Sequence, residues 1–135
     1  MAKRSSLRRS AALLLLLLSG CAAACPEGLT PGTATTLFFG TARRGAPDVG
    51  EAEWRGFLAD TAVPRLPGLT VTEGLGHYRE TDGSAASERS KVVVTAHRGT
   101  AAELRAIAEV MDAYRRRFDQ WGVGRIDQPA CTGFD

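Results

Sequence analysis

His77-Tyr78-Arg79 places three chemically capable side chains on consecutive positions. An imidazole exchanges a proton near neutral pH, and a guanidinium holds an anion through paired hydrogen bonds. The triplet follows Gly74 and Gly76 on a stretch that reads as a strand. Alternation on a strand sets His77 and Arg79 on one face and Tyr78 on the other. Two more cations join them as ligand-binding candidates. Arg65 lies between Pro64 and Pro67, which fix the backbone and can aim it at Glu88 or at a ligand anion; a salt bridge pinning the loop is its plainer role. Lys91 opens a valine-rich strand and, if that strand pairs with the one holding His77, it forms a basic patch with Arg79; an edge lysine that discourages aggregation is the plainer role. His77, Arg65, Arg79 and Lys91 therefore describe either the polar border of a sheet or a small site. In the second case His77 is the acid or base and the cations hold an anionic substrate.

Other chemistries lack their residues. His77 and His97 are the two histidines, and no carboxylate cluster brackets them at ligand spacing, so no metal site is expected. No cofactor motif is present. Gly40-Thr41-Ala42-Arg43-Arg44-Gly45 could cradle a phosphate, but it lacks the spacing of either familiar glycine-rich nucleotide motif. No Ser or Cys stands in a nucleophile elbow. Arg115-Arg116-Arg117 reads as the solvated side of a helix near its C-terminus, where cations suit the dipole.

The N-terminus supplies an address. Lys3, Arg4, Arg8 and Arg9 precede an apolar run from Ala11 to Leu18, too short to span a bilayer as a helix. Leu18-Ser19-Gly20-Cys21 then fits a lipoprotein cleavage site, which predicts a signal peptide over 1–20 and lipidation of Cys21. Ala22-Ala23-Ala24 offers the alternative, ordinary signal cleavage and a soluble secreted or periplasmic chain. Removing the signal turns a formal +2 into a net of −2, with 13 Lys and Arg against 15 Asp and Glu. The basic pI thus belongs to the discarded segment, and a nucleic-acid partner is not expected. In an oxidising compartment Cys25 and Cys131 are natural disulfide partners, although two separate thiols are the alternative.

Residues 21–33 read as a lipidated tether and 34–135 as one domain. Within it, Thr35 to Ala42 predicts a strand. A helix follows, begun at Asp48 or one or two residues later, with Trp54, Phe57, Leu58 and Ala62 on its apolar side. Leu69 to Arg79 predicts a second strand, in which Gly74 and Gly76 mark a bulge or a close backbone approach. Asp82-Gly83-Ser84 turns the chain into a strand from Ser90 to His97. Thr100-Ala101-Ala102-Glu103 is a capping box for a helix carrying Leu104, Ile107, Met111, Tyr114 and Phe118. Gly122 to Asp127 ends the pattern, with a tail from Pro129. The order β-α-β-β-α-β predicts an α+β, ferredoxin-like fold, a four-stranded antiparallel sheet with two helices on one face. Its other face stays open for water, a ligand or a second copy.

Several segments taken together resemble a bacterial family of small exported proteins, the domain of unknown function DUF3574. They are Leu37-Phe38-Phe39-Gly40, Trp54 with Phe57, Pro64 to Val71, Gly76-His77-Tyr78-Arg79, Glu88-Arg89-Ser90-Lys91, Tyr114 to Phe118, and Gln120 to Val123. The chain departs from that pattern at Leu66, where Phe is expected, and at His77-Tyr78, where Gln-Trp is expected. The resemblance implies an exported single domain and attaches no reaction. The resulting expectation is a lipid-anchored protein of the bacterial cell envelope that binds a ligand or partner without catalysis, as a monomer or as a homodimer through the open face. The alternative is a small enzyme acting on an anionic substrate through His77.

Overall fold

Every strand expected from the sequence forms, and three of them run longer than the pattern suggested. The structure, a computed structural model, describes residues 24–133; the signal segment and Cys21 lie outside them. The elements are β1 (Thr30–Gly40), α1 (Glu51–Phe57, continued by a π-helical segment Leu58–Ala62), β2 (Thr70–Arg79), β3 (Ala85–His97), α2 (Ala101–Phe118) and β4 (Gly124–Thr132). One antiparallel sheet results, in the order β2-β3-β1-β4.

β1 begins at Thr30, inside the expected tether, because Thr30 to Thr33 pair with Thr132 to Pro129. Pro31 is tolerated there because β3 reaches only as far as Thr33, leaving no ladder on that side for its missing N–H. β4 likewise continues through Pro129, as an edge strand can. The Cys25–Cys131 disulfide, with Cα atoms 5.5 Å apart, ties the chain entering β1 to β4. Glycines 74 and 76 make no bulge, since the β2–β3 register runs unbroken past Ser90 and Glu88. Gly74 is instead a close approach: a Cβ there would lie 2.8 Å from Oγ of Ser90.

α1 is capped at Gly50, whose N–H donates to the Glu53 carboxylate at 2.9 Å. α2 starts on the expected box, with Thr100 N–H donating to Glu103 at 2.9 Å. Both helices press on one face of the sheet. Phe39 meets Trp54, Phe57 and Tyr114 at ring-centroid distances of 5.4, 6.0 and 4.8 Å, and Leu37, Val93, Ile107, Val110 and Phe118 complete the core. These tilted and edge-on contacts add to the area burial of large rings. On the other face Phe38, Val94 and Ile126 remain partly exposed, so the expected open face is present.

Candidate functional site

The sequence-selected residues do not assemble. Strand pairing confirms that Tyr78, opposite Ala86, points to the open face while His77 and Arg79 point the other way. His77 is exposed and lines neither of the two larger grooves described below. Lys91 is opposite Glu73, six positions along β2 from Arg79, a separation of roughly 20 Å at strand rise. Arg65 finds neither Glu88 nor the others; it donates to the Thr61 carbonyl at 2.8 Å and approaches Glu109 at 3.8 Å. His97 is core: Gly99 N–H donates to its Nδ1 at 3.0 Å, and its Nε2 bonds Thr35 Oγ1 at 2.8 Å. Thr35 in turn donates to Asp127 at 2.5 Å.

Lys91 lines a groove of about 950 Å³ on the helix-bearing side, with Glu51, Glu73, Leu75 and Arg89. Its ammonium is buried and donates to Glu51 at 2.6 Å and to Glu73. Burial alone would lower the Lys91 pKa, but these two carboxylate bonds outweigh it and raise it above the ordinary lysine value. The same bond holds Glu51 below the ordinary glutamate range. The cation is matched within the fold, joining α1, β2 and β3.

The opposite side of the sheet offers a different arrangement. Where β1 ends, a groove of about 650 Å³ is bounded by the loop after β1, the β2–β3 hairpin and the turn after α2. Glu88 rises into it from β3, half-buried, with its carboxylate over Gly40. A Cβ at position 40 would come within 2.7 Å of a Glu88 oxygen, so the glycine makes the space that the carboxylate occupies. Ala42 N–H donates to it at 3.4 Å, and among the described residues no Lys, Arg or His comes within ion-pair distance. A half-buried carboxylate so sparsely compensated is the type of group that a ligand completes.

Around Glu88 the walls are aromatic and polar. Trp121 is 79 % exposed, and the Arg44 guanidinium lies 4.2 Å from its ring centroid. Arg43 is committed elsewhere, to Glu53 at 3.0 Å and to the Pro47 carbonyl at 2.7 Å. The Tyr78 phenol is pushed up from its ordinary value by burial, by the charges of Glu80 and Glu88, and by a hydrogen bond to Glu80, so it stays protonated at neutral pH. The floor is rigid: Tyr114 donates to the Gly40 carbonyl at 2.8 Å and Gln120 to the Ala42 carbonyl at 2.7 Å. Asp119 supports the turn by adopting the left-handed conformation at φ 51°.

Glu88, Trp121, Arg44 and Gln120 were not selected as site residues from sequence. Their signal was faint: Glu88 stood out only as a partner for Arg65 and inside one resembling segment, and Gln120 and Trp121 only inside another. Gly40, Tyr78, Glu88, Gln120 and Trp121 come from four of the separate segments that carry the resemblance, and the fold brings them to one groove. Among the described residues no cluster of three or more metal-ligating side chains occurs, and no helix is long and apolar enough to cross a membrane.

A family model described as "Protein of unknown function (DUF3574)" matches residues 34–134. No curated protein matches the chain. Among solved structures, a phage SAM lyase in complex with S-methyl-5'-thioadenosine is similar at a TM-score of 0.56 and 15 % identity, over 76 % of this chain and 90 % of that one. At that identity the likeness establishes the shared α+β architecture.

Proposed function

For a chain that belongs to the DUF3574 family, whose description carries no activity, we propose the role of an extracytoplasmic binding domain that holds a small ligand in the Glu88 groove, without catalysis. The observation that carries this reading is the half-buried Glu88 carboxylate facing an open groove that an exposed indole also lines, with one long backbone bond as its compensation among the described residues. Buried polar groups are ordinarily satisfied, and a concave site with a few convergent polar groups is where ligands bind.

The test reads the indole N–H resonances of the two tryptophans during titration of the disulfide-bonded chain with small polar compounds. Binding should move Trp121 and leave the buried Trp54 in place, and Glu88→Gln should weaken it by about tenfold at unchanged melting temperature. Binding that maps only to Phe38 and Ile126, or that is indifferent to Glu88→Gln, defeats the reading.

Anchoring through a lipid on Cys21 is part of the same proposal. The Leu18-Ser19-Gly20-Cys21 cleavage site supports it, and the Cys25–Cys131 disulfide supports the export it requires, since disulfides persist in oxidising compartments. Cys21→Ser should move the protein from the membrane fraction to the soluble fraction; an unchanged distribution refutes the anchor. A second, catalytic reading is favoured by the fold shared with the phage SAM lyase. Chromatographic measurement of SAM consumption by the chain, with Glu88→Gln as control, decides it. His77 gives that reading no geometry, being exposed outside both grooves.

A further inference from the structure

The chemistry of the same groove points to a class of ligand, and the argument rests on the binding-site reading above. Its lining carries Glu80, Glu88 and Asp119 against Arg43 and Arg44. Arg43 is neutralised by Glu53, through bonds of 3.0 and 3.1 Å, and it donates further to the carbonyls of Pro47 and Asp48. Among the described residues of the lining, three carboxylates are then set against one cation without an ion pair, Arg44, which rests on the Trp121 ring. The indole face attracts positive charge through its quadrupole, and here a side chain of the protein already occupies a cation position. The field is negative where Tyr78 sits as well, since Glu80 and Glu88 both resist loss of its proton.

We propose that the groove binds an onium cation, a quaternary ammonium or sulfonium head with no N–H to donate, its charge set against Glu88 and its methyl groups on Trp121. Gly40 beneath it seats the Glu88 carboxylate in the wall of the groove, and the groove's volume of about 650 Å³ leaves room for a diffuse cation. An aromatic wall with a nearby carboxylate matches such a head in both its apolar surface and its charge. Arg44 is the internal competitor: a ligand cation gains the indole only by displacing the guanidinium.

The experiment titrates the full disulfide-bonded chain with choline, trimethylsulfonium and the uncharged tert-butyl isostere of choline, reading the Trp121 indole signal. Both cations should bind saturably, and the isostere should bind at least about tenfold more weakly, as loss of one charged contact requires. Glu88→Gln should weaken the cations by about tenfold. Arg44→Ala should tighten them by about two- to fivefold, because removing an exposed cation–π competitor frees the ring. Equal binding of the isostere, or weaker cation binding in Arg44→Ala, overturns the cation class while the binding site stands. Silence of Trp121 toward both cations also overturns it. Silence toward the wider set of polar compounds above overturns the site reading itself.

Discussion

Phe38 and Phe39 are neighbours in sequence and opposites in circumstance. Phe39 is 1 % exposed and meets three aromatic rings from two helices, whereas Phe38 is 38 % exposed on the uncovered face. β3 repeats the contrast with charge. Lys91, on the helix side, is closed in by Glu51 and Glu73; Glu88, on the open side, has no cation within ion-pair distance among the described residues. One face of the sheet has its interactions completed by the fold and the other does not. Stability thus rests on one face of the strands, and the proposed binding falls to the other.

The first way to break that contrast is also the largest. Phe39→Ala should cost about 3–5 kcal/mol in urea denaturation, the range for deleting a buried aromatic. Phe38→Ala should cost about 1 kcal/mol, since much of its surface is already in water. Equal costs, with stability rising with protein concentration, would mean that a second copy covers the open face in solution and that the two faces are not different after all.

Much of this contrast was legible beforehand, and the illegible part has a physical pattern. Element order followed from periodicity and from local signals such as the Thr100–Glu103 box and the Asp82-Gly83-Ser84 turn, where Ser84 N–H donates to the Asp82 carboxylate at 2.8 Å. The outer halves of β1 and β4 were hidden, because Pro31, Gly32 and Pro129 read locally as loop and are made strand by pairing with each other's segments. The site was hidden for a related reason. His77 drew notice as a rare residue, but its strand parity aims it away from the open face. Glu88 and Trp121 are 33 positions apart and line one groove only because the fold brings the turn after α2 and the β2–β3 hairpin to the end of β1.

Lys91 supplies the next test. Lys91→Ala should destabilise the fold by about 2 kcal/mol, less than a fully buried pair, because its carboxylate partners are mostly solvent-exposed. The pH dependence has two edges. The folded Lys91 pKa is raised, so its contribution is complete below its ordinary value of 10.5 and is lost as pH rises through the higher folded value. The Glu51 pKa is lowered by its Lys91 bond, so its contribution is present above its ordinary 4.5 and is lost as pH falls through the lower folded value. Melting temperatures of the wild type should therefore fall off at both extremes, and Lys91→Ala should soften both edges. A variant that keeps the wild-type profile would show that the ion triad does not hold α1 to the sheet.

Glu88→Gln is the smallest expected effect on the fold and the most informative about it. The amide keeps the shape of the carboxylate over Gly40 and can still accept from Ala42 N–H. It also removes a charge that bears on Tyr78 and Tyr114 and that, among the described residues, has no cation within ion-pair distance. The change in unfolding free energy should therefore be within about 0.5 kcal/mol of zero, or slightly stabilising. A residue retained for stability would behave oppositely, as Lys91 does on the other face. If Glu88→Gln instead costs as much as Lys91→Ala, the carboxylate belongs to the framework and the two faces share one purpose. If it costs nothing and removes ligand binding, the charge is maintained against a small energetic penalty for the sake of the groove.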